Sequence, residues 1–553
     1  MENTKSLNRL IELAVINNWN RMALSDIGGA NYQYKDVAEL IEKLHILYEH
    51  ANLKPGDKIA ICGKNSATWA VVFLSGLTAG LVVVPILHEF KPDNIHHLVN
   101  HSGSKLLFTD AAIWENLDEN KMPKLIGALF ISEFGMPLSR LKSLTEAREN
   151  INKLFGNKYP SEFSKNDIHY HEDQQDELAV INYTSGSTGL SKGVMLPYVS
   201  FWSNVQFCLD NLKVLTPGSG IVNMLPLAHM YGLTIDLIHP FCRGCHLNFL
   251  TKLPSPKVLL KAFAQVKPKL IVTVPLIVEK IIRNNVFPML DKPLMKVLLK
   301  VPVIDDRLLA KIKDNLLQAF GGELKEMIIG GAPLNVEVER FLSRIGFPYT
   351  VGYGMTECGP LISYAPAGDN RAHTVGRVVD RMEVKIDSPD PEHIPGNILV
   401  RGDNVMLGYY NNEKGTNEAF PDNNGWLSTG DLGVIDSDGY IRISGRSKTM
   451  ILGPSGQNIY PEEIEQKLNI LPYVNESLII DEGGHLTALI YPDMDAIESQ
   501  GISAEELRKI MDQNLDTLNG MMPGYSKVKR YKLLEEEFEK TPKRSIKRFL
   551  YQP

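Results

Sequence analysis

Cysteine is scarce in this sequence, long apolar runs are missing, basic residues are not in excess, and neither an internal repeat nor a low-complexity tract is present. Each shortage excludes something. Five cysteines in 553 residues, without a framework spacing, rule out a disulfide-stapled fold. The opening residues, MENTKSLNRLIELA, lack the continuous apolar core of a secretory signal, so the expected compartment is the reducing cytoplasm. Cys242-Arg-Gly-Cys245, flanked by His239 and His246, is half of a zinc site with no second CxxC to complete it. It reads better as a buried strand–turn–strand in which the thiols serve as small apolar groups. The longest apolar stretch, Val71 to Leu87, falls short of the ~20 residues a membrane helix needs. Gly76, Gly80 and Pro85 interrupt it, so it reads as a buried helix turning through Gly80 into a short parallel strand. No transmembrane segment is expected. Fifty-eight Lys plus Arg against 65 Asp plus Glu give a net charge of −7, which argues against nucleic acid as the main partner.

The chain is long enough for roughly three or four domain-sized units. From about Leu40 to Leu290, strand-like runs (KIAICG, LVVVPI, KLLFTD, ALFIS, LIVTVP) alternate with helical periodicity, the pattern of α/β layers on largely parallel sheets. Between Pro288 and Phe320, Leu290, Leu294, Val297, Leu298 and Val301 fall at helical spacing. They would line an apolar tunnel or, as the default, pack a core. Past Val375 short strands punctuated by Asp-Gly and Gly-Asn predict a smaller β-rich unit. A further α/β piece follows Gly445, with helices over 461–470 and 503–518 and strands ESLIID and LTALIYP. Tyr525 to Pro553 carries nine Lys or Arg against four Glu, a net of +5. Such a tail suits either plain solvation or an anionic partner: coenzyme A phosphates, a carrier protein or a lipid surface.

The densest chemistry lies in YTSGSTGLSKGVML, Tyr183 to Leu196. Glycines free the backbone so that N–H groups can converge on an anion, hydroxyls add donors, and Lys192 adds a positive charge. Phosphate is the indicated guest. The GxxxxGK-Ser/Thr pattern fails, because Ser191 stands at the second glycine and Gly193 at the metal-binding hydroxyl. Both flanks read as extended, with a helix beginning only around Tyr198, so this is a strand–loop–strand rather than a strand–loop–helix. A flexible linker would need neither Lys192 nor apolar strands on both sides.

Four further stretches belong with the loop. IIGGAPL (Ile328 to Leu334) supplies a Gly-Gly turn where backbone can lie against a flat ring. VGYGMTECGP (Val351 to Pro360) sets Tyr353, a stacking surface, four residues before Glu357, a hard-cation ligand. WLSTGDLG offers Asp431 as an acceptor for sugar hydroxyls. The stretch from Gly445 to Glu465 begins with Arg446 and Lys448 at a domain junction. Alone, each reads as an ordinary turn or helix cap.

In this order, and over nearly the whole chain, the motifs resemble the AMP-forming adenylating superfamily of acyl-CoA synthetases, peptide-synthetase adenylation domains and firefly luciferase. TVPLIVEKI (Thr273 to Ile281), the 282–320 region and the run from GGELKEMIIGG to GYGMTE look most like long-chain fatty acyl-CoA synthetases. The resemblance implies an α/β fold: a large N-terminal domain, 1–445, of two α/β subdomains plus a β-barrel, and a small mobile α+β C-terminal domain, 446–553, hinged near Lys448. It implies that Thr184, Ser185, Gly186, Ser187, Thr188, Gly189 and Lys192 embrace ATP phosphates, with Thr184 also a metal contact. Gly331, Ala332 and Pro333 would line the adenine pocket with Tyr353 and Gly354. Thr356 would meet the α-phosphate, Glu357 would bind Mg2+, Asp431 and Arg446 would hold the ribose, and His229 would gate the acyl pocket.

The implied reaction is adenylation of a fatty acid by ATP, then transfer to coenzyme A. An acyl carrier protein is the alternative acceptor, and another carboxylic acid the alternative substrate. Transient contact with a membrane surface is compatible with the basic tail. One departure stands out: Ser545 occupies the position of the family's C-terminal catalytic lysine. Lys543 and Lys547, two residues away on either side, would share its face in an extended strand and are the expected substitutes. A weakly active nucleotide- or acyl-binding protein would exploit the serine, but the intact phosphate, adenine, metal and ribose motifs count against it.

Overall fold

The computed structural model describes residues 5–185, 191–252, 255–290, 292–298, 304–422, 424–452, 458–540 and 546–552. Gly186, Ser187, Thr188 and Gly189 of the loop, Val301, and Lys543 and Ser545 of the tail lie outside the described residues. Burial on both faces decides the central layer. Val82–Ile86 and Leu106–Thr109 are buried at every position, as parallel strands covered by helices must be. They belong to an eight-stranded sheet in the order Gly408–Tyr409, Ser191–Pro197, Leu178–Ser185, Val82–Ile86, Lys58–Cys62, Leu106–Thr109, Gly127–Phe130, Leu138–Ser139. The strands from Leu178–Ser185 to Gly127–Phe130 run parallel, and both edges carry antiparallel additions. The apolar stretch from Val71 folds as its glycines indicate. Helix Ala67–Thr78 is wholly buried, and Gly80 turns the chain at φ +73° into Val82–Ile86. A side chain on Gly76 would meet Val83 Cγ2 at 2.6 Å, so the helix seats directly on its own strand.

Two smaller sheets complete the α/β part. One is parallel, of Leu270–Thr273, Glu326–Ile329 and Tyr349–Val351. The other joins parallel Gly220–Asn223, His246–Phe249 and Met22–Asp26 to antiparallel Asn31–Gln33. A continuous apolar core reaches from Leu7 to Ile441, and Leu270, Ile271, Val272 and Val278 are buried in it. The 282–320 region is segmented into Phe287–Leu290, Pro293–Leu298 and Ile304–Ala319. Pro293 opens its piece, since proline fits a helix start and not its interior.

The β-rich part begins earlier than Val375. Tyr353–Gly354, Leu361–Tyr364 and Arg377–Val378 form one antiparallel sheet; Met382–Asp387, Gly396–Gly402, Leu427–Ile435 and Ile441–Arg446 form another. A bridge between Arg377 and Tyr440 joins them. The CxxC expectation needs correction: Cys242 ends helix His239–Cys242, which continues a π-helix over Tyr231–Ile238, and Gly244 at φ +82° leads into His246–Phe249. The motif is therefore helix–turn–strand. Burial pushes the Cys245 thiol up to about 12 and Cys242 higher still, and no metal-binding cluster of His, Cys, Asp or Glu occurs among the described residues.

The last hundred residues have their own core, in which Ile464, Leu468, Ile479, Ala488, Met511 and Leu518 pack together. Strands Val474–Asp481 and Leu486–Pro492 pair antiparallel and Arg530–Leu533 adds in parallel, against helices Pro461–Leu468 and Ala504–Gly520. The tail returns to this unit. Lys540 bridges Ile546, and Lys547 N–H donates to Glu539 O at 2.8 Å. Arg548 reaches the buried Glu465 through both guanidinium nitrogens, one at 2.9 Å from Oε1, and that same oxygen accepts the Ile479 N–H at 2.7 Å. Removing the cation would strand a buried carboxylate. Arg548→Ala should therefore destabilise the C-terminal unit by about 3–5 kcal/mol in denaturant titration, with faster exchange of the Ile479 amide. Replacing both partners with apolar residues should recover part of the loss; an unchanged transition in Arg548→Ala would show the pair to be dispensable.

Candidate functional site

The loop's flanks form an antiparallel hairpin, as their patterning predicts. Leu178–Ser185 pairs with Ser191–Pro197, Thr184 opposite Lys192 and Ser185 opposite Ser191, and helix Tyr198–Asn211 starts directly afterwards. Gly193 has no room for a side chain, which would meet Ile181 Cγ2 at 2.9 Å and the Tyr183 ring at 3.1 Å. Tyr183 is itself pinned, its hydroxyl 2.7 Å from His101 Nδ1.

Glu357 lies in the one-turn helix Thr356–Cys358 and is 9% exposed. Two glycines and an asparagine shape this segment. A Cβ on Gly354 would fall 2.0 Å from the Pro360 carbonyl oxygen, and one on Gly359, where φ is +63°, would fall 2.3 Å from Ser200 Oγ. Asn204 accepts from Leu361 N–H at 2.9 Å and donates to Cys358 O at 3.1 Å. The Glu357 carboxylate accepts from the Tyr409 hydroxyl at 2.8 Å. The same tyrosine ring lies 4.6 Å from Lys192 Nζ. Residues 165 positions apart, Lys192 and Glu357, are thus brought together by a third that sequence reading missed.

Four residues before Glu357, the Tyr353 hydroxyl donates to Asp431 Oδ2 at 2.7 Å. Arg446, opposite Asp431 in the ladder, places Nε 3.2 Å from Oδ1. Burial raises the Asp431 pKa, against the opposing pull of Arg446 and Tyr353. Burial first, and then the Asp431 charge, pushes the Tyr353 phenol well above its usual value, so it stays a donor. The Asp431 side chain is 11% exposed while the Arg446 side chain is 71% exposed, leaving a cation at the mouth of the site.

Gly331, Ala332 and Pro333 are exposed beyond the end of Glu326–Ile329, and Gly352 N–H donates to Ile329 O at 3.0 Å, tying that strand end to Tyr353. Gly331 takes φ +87°, a left-handed value that favours glycine. The preceding Gly330 leaves room for Tyr231, whose hydroxyl donates to Thr273 O at 3.3 Å and Ile328 O at 3.1 Å. Tyr231 opens the π-helix just after half-buried His229, and Asn182 of the hairpin donates to Ala228 O at 2.9 Å. The flank of the glycine-rich loop, the His229 turn and the strand end leading to the Gly-Gly turn are therefore linked by hydrogen bonds through Asn182 and Tyr231.

Lys448 is exposed in the turn after Ile441–Arg446, where Ser447 N–H donates to Gly430 O at 2.9 Å. Thr449 next to it donates to Glu462 Oε1 at 2.6 Å. Lys547 pairs with Glu539 at 3.0 Å, so its ammonium is engaged within the C-terminal unit.

Known proteins resemble this chain in sequence and in fold. Over 475 residues the chain is 27% identical to the long-chain-fatty-acid–CoA ligase FadD15 of Mycobacterium bovis, covering 81% of this chain and 74% of that protein. It is 29% identical over 449 residues to the long-chain-fatty-acid–CoA ligase of Escherichia coli O157:H7, covering 78% and 74%. The ATP-bound crystal structure of MatB from Rhodopseudomonas palustris shares the fold, with a TM-score of 0.76 at 22% identity over 99% of this chain and 98% of that one. The model of the AMP-binding enzyme family matches residues 13–410, and the chain belongs to that family.

Proposed function

We propose that the chain is an ATP-dependent acid–thiol ligase that adenylates a long-chain fatty acid and transfers the acyl group to coenzyme A. The observation that carries this reading is the placing of a cation, Lys192, and a buried carboxylate, Glu357, on one tyrosine, with Tyr353, four residues before Glu357, bonded to Asp431 and Asp431 in turn paired with Arg446. The long-chain assignment draws on the names of the relatives; the phosphate, adenine, metal and ribose roles draw on the family motifs that these positions match.

The donor set suits magnesium. That ion is ordinarily held by one or two carboxylates together with substrate phosphates, so a lone Glu357 with the Thr184 hydroxyl is sufficient protein ligation. Bound there, magnesium would neutralise phosphate charge. The chain's own groups do the rest. Lys192 and the loop Thr184, Ser185, Gly186, Ser187, Thr188, Gly189 hold the phosphates, Thr356 meets the α-phosphate, and Gly331, Ala332, Pro333, Tyr353 and Gly354 take the adenine. Asp431 accepts from the ribose hydroxyls beside Arg446, and His229 stands at the acyl entrance.

The acid's carboxylate oxygen attacks the α-phosphorus, the bond to pyrophosphate breaks, and acyl-AMP forms. Positioning and charge neutralisation are the main contributions required of the protein. The C-terminal unit, 446–553, then turns about Lys448, and the thiol sulfur attacks the acyl carbonyl; AMP leaves and the thioester remains. Water must be kept from the mixed anhydride between the two steps. Lys543 or Lys547 supplies the tail's positive charge where Ser545 stands.

Glu357→Gln and Asp431→Ala should each cut acid-dependent pyrophosphate exchange by at least ~100-fold, the scale of losing one positioned electrostatic group. Exchange at the wild-type rate in both would overturn the site. Lys448→Pro fixes one backbone dihedral at the junction. Adenylation should survive it while thioester formation collapses, whereas equal loss of both half-reactions would deny the hinge. Finally, each buried methylene is worth about 0.8 kcal/mol, so specificity constants should climb up to roughly fourfold per carbon from octanoate towards palmitate. A profile peaking at short or aromatic acids, or a preference for a carrier protein over coenzyme A, would replace that part of the reading.

A further inference from the structure

We propose that Tyr409 is a positioning residue that keeps Glu357 and Lys192 apart and separately oriented, its hydroxyl fixing the carboxylate and its ring carrying the ammonium. The inference rests on the reading of Glu357 and Lys192 as the metal and phosphate groups of the nucleotide site.

Tyr409 is itself held from two sides. Strand Gly408–Tyr409 pairs with the second arm of the loop hairpin, Tyr409 opposite Val194. Leu407 N–H donates to Met195 O at 2.9 Å and Tyr410 N–H to Gly193 O at 2.7 Å, so the backbone on either side is fastened to the strand that carries Lys192. One residue earlier, Met406 N–H donates to the Glu357 carbonyl oxygen at 2.9 Å. Asn404 and Ser200 extend the attachment: Asn404 donates to Leu361 O and accepts, through its carbonyl, from Ser200 Oγ, both at 2.7 Å. The segment is thus a rigid strut between the hairpin and the Glu357 turn.

What the strut prevents is charge cancellation. An ammonium and a carboxylate brought this near would ordinarily pair directly, and a paired Lys192 and Glu357 would offer neither phosphate nor metal a full charge. Among the described residues no ion pair joins them. The ring instead offers its negative face to Lys192, 4.6 Å away, and its hydroxyl to Glu357 Oε1, 2.8 Å away. A ring face leaves the ammonium's N–H donors free to rotate towards an anion, and a hydrogen bond on one carboxylate oxygen aims the other.

The test is binding rather than turnover. The full-length protein is titrated with Mn2+ by electron paramagnetic resonance, with and without α,β-methylene ATP, and the analogue is titrated calorimetrically without metal. Tyr409→Phe keeps the ring and removes the hydroxyl. It should weaken Mn2+ binding about 10-fold, the scale of losing a group that orients a metal ligand, while metal-free analogue binding stays unchanged. Tyr409→Leu removes both contacts and should weaken metal-free analogue binding as well, because Lys192 then pairs with Glu357. Wild-type Mn2+ affinity in Tyr409→Phe overturns the proposal, and since that variant is isosteric it decides the matter even where Tyr409→Leu fails to fold. Glu357→Gln in the same titration separates the two levels. Lost Mn2+ binding there, beside an unchanged Tyr409→Phe, refutes only the tyrosine's role; retained Mn2+ binding in Glu357→Gln refutes the site reading on which it rests.

Discussion

Thr184 stands opposite Lys192 because two extended segments, Leu178–Ser185 and Ser191–Pro197, exchange backbone hydrogen bonds in one register from Val180 to Ser185. A slip of one residue would turn Lys192 to the other face of the sheet and bring Gly193, which has room only for hydrogen, away from the Tyr183 ring. Much else in the site is measured from this ladder. Its first arm joins the parallel core through Val180 and Val83, and its second carries Gly408–Tyr409. From Tyr409 the connections run to Glu357, and from the Glu357 segment back to Tyr353 and Asp431.

The buried carboxylates of the molecule divide by what compensates them. Glu357 has the Tyr409 hydroxyl, Asp431 has Tyr353 and Arg446, and Glu465 has Arg548 and the Ile479 N–H. In Asp431 and Glu465 burial still outweighs the neighbouring cations and raises the pKa. Asp236, on the π-helix and fully buried, is pushed well towards the neutral acid by desolvation. In its proposed role as a metal ligand Glu357 needs an outward-facing oxygen, which a single phenol partner leaves and a bidentate arginine would occupy.

Short-range signals proved readable where one periodicity ruled. The helix-to-strand turn at Gly80, the strand–loop–strand around Lys192 and the helix from Tyr198 all follow from alternation and glycine placement. Where two local readings competed, patterning failed. Cys242 and Cys245 read as strand–turn–strand because a π-helix leaves no distinct mark in the sequence, while Pro288 and Pro293 subdivide what the apolar spacing presents as one helical region. The β-rich part begins at Tyr353, ahead of the turn-rich composition that announces it, because strand Tyr353–Gly354 is only two residues long.

The sequence by itself determined the order of elements, the glycine-rich loop with its lysine, and the motifs that identify the family, because each is written in contiguous residues. Only the tertiary structure decided that Tyr409 would stand between Lys192 and Glu357, and that Asp431 would take both Tyr353 and Arg446. Tyr409 lies 52 residues from Glu357, and Asp431 lies 78 from Tyr353. At such separations no propensity acts between partners. They meet because strand registers and buried glycine turns bring their backbones to one place, and register is set by which faces the whole core can bury.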